Sequence, residues 1–238
     1  MTQRRHHYEA AFEQYLRATR VPYVAVDEAK KALLPGNADF HVTETRDGEA
    51  RPQALKSFDF VIYGEGLNLL CEVKGRRIAL PRAKSGRGAS SGASVGRLEN
   101  WVTNDDAESL ARWEQLFGPG FEAAFIFVYW CDAQPPDGLF QEIFTHRERW
   151  YAIRACRLRE YVGAMKVRSP KWRTLHVPTA VFERISHPFA PPRAHETPEE
   201  AAARARRSAA PTSLDEPIQA MGVTLPSIDR IAELARRK

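Results

Sequence analysis

The chain has 238 residues, of which 43% are hydrophobic, and this is enough for one domain with a sizeable core and extensions. Its 35 Lys and Arg residues outnumber its 30 Asp and Glu residues, and the net charge of +5 is compatible with a nucleic-acid partner. The longest apolar run is too short to span a bilayer, and three widely spaced cysteines form neither a disulfide framework nor a zinc cluster. We therefore expect reduced, partly buried thiols in a cytoplasmic protein with no membrane partner.

The N-terminal third begins with an amphipathic pattern. Apolar residues recur at helical spacing between Tyr8 and Thr19, which predicts a helix with one buried stripe. A short strand is predicted from Val21 to Val26. Residues 27–57 are polar and interrupted by Gly and Pro, with a short helix indicated near Glu28–Leu33 and an extended piece at Phe40–Thr45.

A β-hairpin is predicted next, from residues 58–63 through the turn Gly64-Glu65-Gly66 to residues 67–74. Because side chains alternate across a strand, Glu72 and Lys74 should share one face, and Cys71 and Val73 the other. Charged groups on such an apolar hairpin are costly unless they are paired or bind a metal.

The remaining pattern alternates between helices and strands. A helix capped by Asp105 or Asp106 is predicted to end at Gly118, and a buried strand should follow from Glu122 to Trp130. The other expected elements are strands at Phe140–Phe144, Tyr151–Ile153 and Leu175–Val177, a helix at Arg157–Ala164, and a core-closing segment at Val181–Ile185. This order predicts an α/β fold with a mixed β-sheet flanked by α-helices.

Composition divides the chain into a domain at residues 1–186 and a Pro/Ala/Arg-rich tail at 187–238, which we expect to be disordered. Within the domain, residues 83–94 form a Gly/Ser/basic segment without packing residues, and we expect a mobile basic loop at about 82–97.

The charged residues of the hairpin suggest phosphodiester chemistry. Asp59 and Glu72 can supply two carboxylates to Mg²⁺, with Mn²⁺ as the alternative ion, and the carbonyl of Val73 can be a further ligand. Lys74 can position or deprotonate water, or offset charge in the transition state. Glu9 on the first helix is a further candidate metal ligand, and Glu13, one turn later, competes for that role.

These residues resemble the PD-(D/E)XK nuclease superfamily of restriction enzymes and Holliday-junction resolvases, over roughly Tyr8 to Trp130. The resemblance implies a restriction-endonuclease-like core in which Asp59 and Glu72 bind metal, Lys74 is catalytic and Glu9 is a helix-borne ligand. Phe58 stands where the motif name has proline, a position that varies in the superfamily. The opening His6-His7-Tyr8-Glu9-Ala10-Ala11-Phe12-Glu13 is also similar to the signature of the bacterial HYExAFE family, which implies no further activity.

A basic window follows the hairpin: from Val73 to Leu98 there are seven Lys and Arg residues and no acidic residue. Such a window can follow a phosphate backbone, although a solvated loop would also account for it. The residues predicted to contact nucleic acid are Arg76, Arg77, Lys84, Arg87 and Arg97. Trp101 is the tryptophan that we expect to be available for stacking on a base, and His7 is expected to be solvated or to cap the first helix.

The sequence therefore predicts a Mg²⁺-dependent endonuclease that hydrolyses phosphodiester bonds in DNA, with RNA as an alternative substrate. Two other interpretations stay open. One is a nuclease-like module that binds nucleic acid without cutting it. The other is an interaction protein in which Asp59, Glu72 and Lys74 form a structural ion pair. A homodimer also stays open as an assembly, although no motif in the sequence indicates one.

Overall fold

A computed structural model describes residues 6–33, 40–46, 49–64, 66–78, 98–131 and 143–189. The expected mobile loop at 82–97 and all but the first three residues of the expected tail at 187–238 lie outside these residues.

The described chain contains five helices and twelve strands. The helices are α1 (His6–Ala18), α2 (Val26–Leu33), α3 (Asn104–Phe117), α4 (Leu158–Ala164) and α5 (Thr179–Ile185). The strands are β1 (Tyr23–Ala25), β2 (Phe40–Arg46), β3 (Glu49–Leu55), β4 (Phe60–Ile62), β5 (Asn68–Ile78), β6 (Val102–Thr103), β7 (Phe121–Cys131), β8 (Ile143–His146), β9 (Arg149–Arg157), β10 (Lys166–Ser169), β11 (Thr174–His176) and β12 (His187–Pro188). None of the described helices combines the length and the apolar character needed to cross a membrane.

A mixed sheet of seven strands forms the centre of the fold. Its order is β1-β4-β5-β7-β9-β12, and β8 pairs with β9 beside this path. Strands β5 and β7 run parallel over their full length, whereas the other pairs in this sheet are antiparallel. A three-stranded sheet, β10-β11-β6, and the β2-β3 hairpin complete the strands. The α/β class with a mixed sheet is thereby confirmed.

Helices cover both faces of the central sheet. Leu70 and Phe125 belong to the core that α3, α4 and α5 cover, whereas Cys71, Val73 and Ile126 pack against α1 on the opposite face. The alternation predicted for β5 is therefore confirmed. Cys71 and Val73 face α1, and the even-numbered positions Leu70 and Glu72 face the opposite side of the sheet. The three cysteines are free thiols and all are buried.

Two local predictions need correction. The strand predicted at Val21–Val26 covers only Tyr23–Ala25, because α2 already begins at Val26. The cap of α3 is Thr103, one residue before the helix and in extended conformation, rather than Asp105 or Asp106. Asp106 is instead the third helical residue, whose carboxylate accepts a hydrogen bond from the N–H of Thr103 in a reciprocal capping box.

The described part of the chain continues three residues past the expected domain boundary. Strand β12 pairs with β9, and the hydroxyl of Tyr15 donates a hydrogen bond to the carbonyl of Phe189 at 3.0 Å. The ring of Phe189 lies 5.4 Å from that of Phe12, centroid to centroid. The chain after residue 186 therefore adds an edge strand to the sheet, and Phe189 packs on the face that α1 covers.

Candidate active site

The candidate site begins where β4 stops pairing with β5. The last paired residues are Phe60 and Cys71, and the N–H of Asp59 still donates to the carbonyl of Cys71 at 3.0 Å. The next N–H on that edge of β5, that of Val73, donates instead to Oδ2 of Asp59 at 2.6 Å. Since the N–H and C=O of a strand residue point to the same edge, the carbonyl of Val73 is directed toward the side occupied by Asp59.

Two lysines and two carboxylates form a closed ring on the α3 face of β5. Nζ of Lys74 lies 2.7 Å from Oε1 of Glu72 and 2.8 Å from Oδ2 of Asp106. Nζ of Lys56 lies 2.9 Å from the same Oε1 and also contacts Oδ1 of Asp106. Each ammonium group thus contacts both acids, and each acid contacts both ammonium groups.

The ring is open to solvent on one side. The side chains of Asp106, Glu72 and Lys74 are 4%, 8% and 14% exposed, whereas that of Lys56 is 48% exposed. Burial strengthens electrostatic interactions among the first three and makes the loss of any one partner costly. Lys56 is therefore the member through which an incoming ligand can reach the ring.

Helix α3 holds the two members that lie off the hairpin. Asp106 is fixed by the capping box at the start of this helix. Lys56 is attached through its backbone, because its N–H donates to Oγ of Ser109 at 3.2 Å and its carbonyl accepts from Nε1 of Trp113 at 2.8 Å. Docking of α3 on the sheet therefore brings both groups to Glu72 and Lys74.

The two aspartates differ in their pKa values. Burial raises the pKa of Asp59 well above its usual range, and the nearby carboxylates of Glu72 and Glu9 raise it further, against the opposing N–H of Val73 and charge of Lys74. Burial also disfavours ionisation of Asp106, but the ammonium groups of Lys74 and Lys56 outweigh it and hold this pKa below its usual value. Asp106 is thus a stable anion, whereas Asp59 retains a proton more readily.

The structure distinguishes Glu9 from Glu13. The charge of Glu9 lies close enough to Asp59 to raise the pKa of that carboxyl group. Glu13 instead binds on the outer side of α1, where Oε1 lies 2.6 Å from Nη2 of Arg17 and 2.9 Å from the hydroxyl of Tyr23. Of the two glutamates of α1, Glu9 is thus the one whose charge acts on Asp59.

The donor chemistry at this junction suits a hard divalent cation. Glu9, Asp59 and Glu72 offer carboxylate oxygens, and the pKa of Asp59 is raised by burial and then by the charges of Glu72 and Glu9. Within the described ranges, no three His, Cys, Asp or Glu side chains already form a metal-binding group. Both lysines contact Oε1 of Glu72, so a metal bound by this carboxylate would take Oε2 or replace a lysine at Oε1.

The residues predicted to contact nucleic acid differ in their placement. The guanidinium group of Arg76 is held by hydrogen bonds within the protein. Its Nη1 donates to the carbonyl of Gly75 at 2.7 Å, and its Nη2 donates to the carbonyl of Trp101. Burial lowers the pKa of its guanidinium group. Arg77 is exposed, with its guanidinium carbon 5.0 Å from the ring centroid of Trp130. Lys84, Arg87 and Arg97 lie outside the described residues.

Trp101 and His7 also have specific partners. The guanidinium carbons of Arg76 and Arg168 lie 4.0 and 5.4 Å from the ring centroid of Trp101, so this indole is occupied by cations. Nδ1 of His7 lies 3.0 Å from the hydroxyl of Tyr151, and this contact takes the place of the expected solvated or capping role.

Lys56 and Asp106 were not predicted as site residues. Asp106 was visible only as a helix-capping residue, and the spacing of Thr103 and Asp106 is indeed that of a capping box. Lys56 lies three positions before Asp59, but no helical or strand periodicity in this segment predicts that the ammonium group of Lys56 lies beside Glu72. No sequence signal connects the two, because their contact depends on how α3 docks on β5.

Comparisons with family models, with curated proteins and with solved structures find no match to this chain.

Proposed function

We propose that this protein is a divalent-metal-dependent endonuclease that hydrolyses phosphodiester bonds in DNA. The observation that carries the proposal is the meeting of Asp59, Glu72 and Lys74 where β4 ends on β5, with the charge of Glu9 beside them. An acid pair, a nearby third acid and a buried lysine are what metal-assisted attack of water on a phosphodiester requires.

The proposal includes the finer fold assignment, a restriction-endonuclease-like core within the PD-(D/E)XK superfamily. The order of the elements supports it: α1 carries Glu9, Asp59 precedes β4, and β5 carries Glu72 and Lys74. Helix α3 and strand β7, parallel to β5, then follow. The proposed membership of the HYExAFE family rests on the residues at the start of α1.

A bound Mg²⁺ would supply Lewis-acid stabilisation of the charge that develops on the phosphate. Asp59, Glu72 and the carbonyl of Val73 would hold it, with Glu9 as the ligand from α1. A protonated Asp59 is a poor ligand, so the pKa of this group makes the proposed metal binding dependent on pH.

We assign to Lys74 the role of positioning or deprotonating the attacking water. The side chain of Lys74 is 14% exposed and its ammonium group is held by Glu72 and Asp106, so its position is fixed before a substrate binds. When Glu72 turns toward a metal, Asp106 keeps hold of Lys74 and prevents it from following. Asp106 is therefore a positioning residue, acting through Lys74.

Lys56 is assigned to the substrate phosphate. Its side chain is half exposed, and its contact with Glu72 would be given up on metal binding. The ammonium group then has one remaining carboxylate partner in the ring, Asp106, and a path to solvent. A lysine in this position offsets phosphate charge in the transition state.

Calorimetric titration of Mg²⁺ and Mn²⁺ into the protein tests the metal site, and cleavage of linear and branched DNA tests the activity. The site variant is Asp59→Asn/Glu72→Gln. The matched control is Glu122→Gln, on the neighbouring strand β7. It removes a half-buried carboxylate whose Oε2 lies 3.2 Å from Nε of Arg157.

We expect the wild-type protein and the Glu122→Gln variant to cut DNA in the presence of Mg²⁺, and the site variant to lose both cleavage and the metal-binding heat. Cleavage by the site variant at the wild-type rate would refute the assignment. RNA of the same sequence serves as the alternative substrate in the same assay.

The second candidate is a structural role for the charged ring. It is favoured by the fact that every member of the ring already contacts two partners of opposite charge. In that case neither metal binding nor cleavage is expected, and simultaneous replacement of the four residues by apolar ones of similar size should leave stability nearly unchanged.

A further inference from the structure

A second set of charged residues lies on the α1 face of the sheet, beside the N-terminal end of α1. Arg77 on β5 and Arg149 on β9 both have their guanidinium carbons 5.0 Å from the ring centroid of Trp130, on the strand between them. In the sheet register Arg77 is paired with Trp130, and Trp130 with Tyr151, two residues after Arg149. These residues therefore share one face at adjacent positions.

Polar aromatic residues fix the surroundings of this pair. The hydroxyl of Tyr151 lies at hydrogen-bonding distance, 3.0 Å, from Nδ1 of His7. The ring of His7 is perpendicular to that of Trp130, with the centroids 6.0 Å apart. Both arginines are exposed, whereas Trp130 is half buried. The indole thus presents two guanidinium groups to solvent from a rigid support.

The two guanidinium groups place two positive charges on one indole at an exposed surface. Such a concentration of positive charge favours an anion.

We infer that Arg77, Arg149 and Trp130 form a binding site for a phosphate of the nucleic-acid backbone other than the phosphate that is cut. This inference rests on the proposed function and extends it to the path of the substrate. The planar guanidinium groups match phosphate oxygens, and their contact with Trp130 reduces the conformational freedom lost on binding.

The proposed site and the charged ring lie on opposite faces of β5. Lys74 and Arg77 are three residues apart on this strand, so their Cα atoms are about 10 Å apart and their side chains project to different faces. Past Cys71, no strand among the described residues pairs with β5 on the edge that faces Asp59. The two sites would therefore hold different phosphates of one substrate.

Binding of a fluorescent DNA duplex, measured by anisotropy over a range of salt concentrations without divalent ions, tests the site. The variants are Arg77→Gln and Arg149→Gln. The matched control is Arg159→Gln, which removes a half-exposed arginine whose partner is Glu122 at 3.7 Å. The variant Trp130→Leu keeps both arginine charges and removes only the indole ring that the two guanidinium groups contact. Circular dichroism and the thermal midpoint verify that each variant is folded.

We expect each of Arg77→Gln and Arg149→Gln to weaken binding about tenfold and to reduce the slope of log K against log salt by about 1. Trp130→Leu should weaken binding by about three- to tenfold with an unchanged slope, and Arg159→Gln should change affinity less than about twofold. The inference is overturned if the two arginine variants behave like Arg159→Gln, or if the wild-type protein does not bind DNA.

Cleavage by the wild-type protein is assayed separately with Mg²⁺, so the two proposals can fail independently. Loss of affinity in the arginine variants without any wild-type cleavage would support the phosphate site and refute the endonuclease. Cleavage with unchanged affinity in those variants would refute the phosphate site alone.

Discussion

Asp106, at the start of α3, lies with Oδ2 2.8 Å from Nζ of Lys74 on β5. The same carboxylate completes the capping box with Thr103. One side chain therefore begins a helix and holds the candidate catalytic lysine. This connection makes the position of Lys74 dependent on how α3 packs against the sheet.

Asp106→Asn should lower the free energy of unfolding by about 3 kcal/mol, because it leaves the buried ammonium group of Lys74 with one acid partner instead of two. Asp105→Asn is the control, since this neighbouring side chain is 61% exposed and its ion pair with Arg173 is also at the surface. The control should change stability by about 0.5 kcal/mol or less. Urea unfolding at pH 7 measures both, and equal losses would contradict the role of Asp106 in the ring.

Asp59 should make the metal-free protein less stable as the pH rises. Its folded-state pKa is raised, so the folded protein binds this proton more tightly than the unfolded chain does. Stability from this group is fully present below the ordinary carboxyl pKa and is lost as the pH rises toward the folded-state value. Asp59→Asn cannot ionise and should gain stability relative to wild type between pH 4 and pH 8.

Urea unfolding across that pH range, without divalent ions, compares wild type, Asp59→Asn and the exposed-site control Asp27→Asn. The control should run parallel to wild type. A stability difference between Asp59→Asn and wild type that did not change with pH would show that the burial of Asp59 does not govern its ionisation.

Gly75 should not tolerate a side chain. A Cβ atom at this position would overlap the ring of Tyr8, next to Glu9 on α1. Gly75→Ala is expected to lower stability by about 1–3 kcal/mol, because either α1 or the Tyr8 ring must move. Gly163→Ala is the control: a Cβ there has no atom within 4 Å, and alanine in α4 should raise stability by up to about 1 kcal/mol.

A double variant identifies the cause. If overlap with Tyr8 is responsible, Tyr8→Ala/Gly75→Ala should be more stable than the sum of the two single changes predicts. Additive losses, measured by chemical unfolding, would indicate that Gly75 is required for its backbone and not for its contact with Tyr8.

The two lysines of the ring should differ in their effect on cleavage. Lys74→Met is expected to reduce the single-turnover rate by about a thousandfold, since it removes the group assigned to the water. Lys56→Met should reduce it by about tenfold, because Lys56 only offsets phosphate charge. Lys166→Met, at an exposed position on β10, should leave the rate unchanged. Equal rates for the two ring variants would contradict this division of roles.

Several structural features could be predicted from the sequence because they depend on local backbone geometry. The alternation along β5 put Glu72 and Lys74 on one face, and the helical spacing in α1 put Glu9 on the side of Phe12. The predicted strand from Glu122 to Trp130 lies within β7, which extends from Phe121 to Cys131. Each of these predictions needs only the period of a strand or a helix.

The partners of the charged residues could not be predicted in the same way. Arg76 and Arg77 are adjacent in a basic window, yet Arg76 is held against Trp101 while Arg77 is exposed beside Trp130. Adjacent strand residues face opposite sides of the sheet, so their roles depend on the elements that cover each side. Glu9 and Glu13 are distinguished in the same way, by the distant Asp59 and the nearby Arg17 and Tyr23.

The sequence by itself determined the α/β class, the acid-bearing hairpin and the faces of its residues, because period and turn chemistry act between near neighbours. Only the tertiary structure decided that Lys56 and Asp106 close a ring with Glu72 and Lys74. It also decided that Arg77 and Arg149 meet at Trp130. Those contacts join segments far apart in the chain, and they form only when burial of the apolar faces docks α3, β7 and β9 around β5.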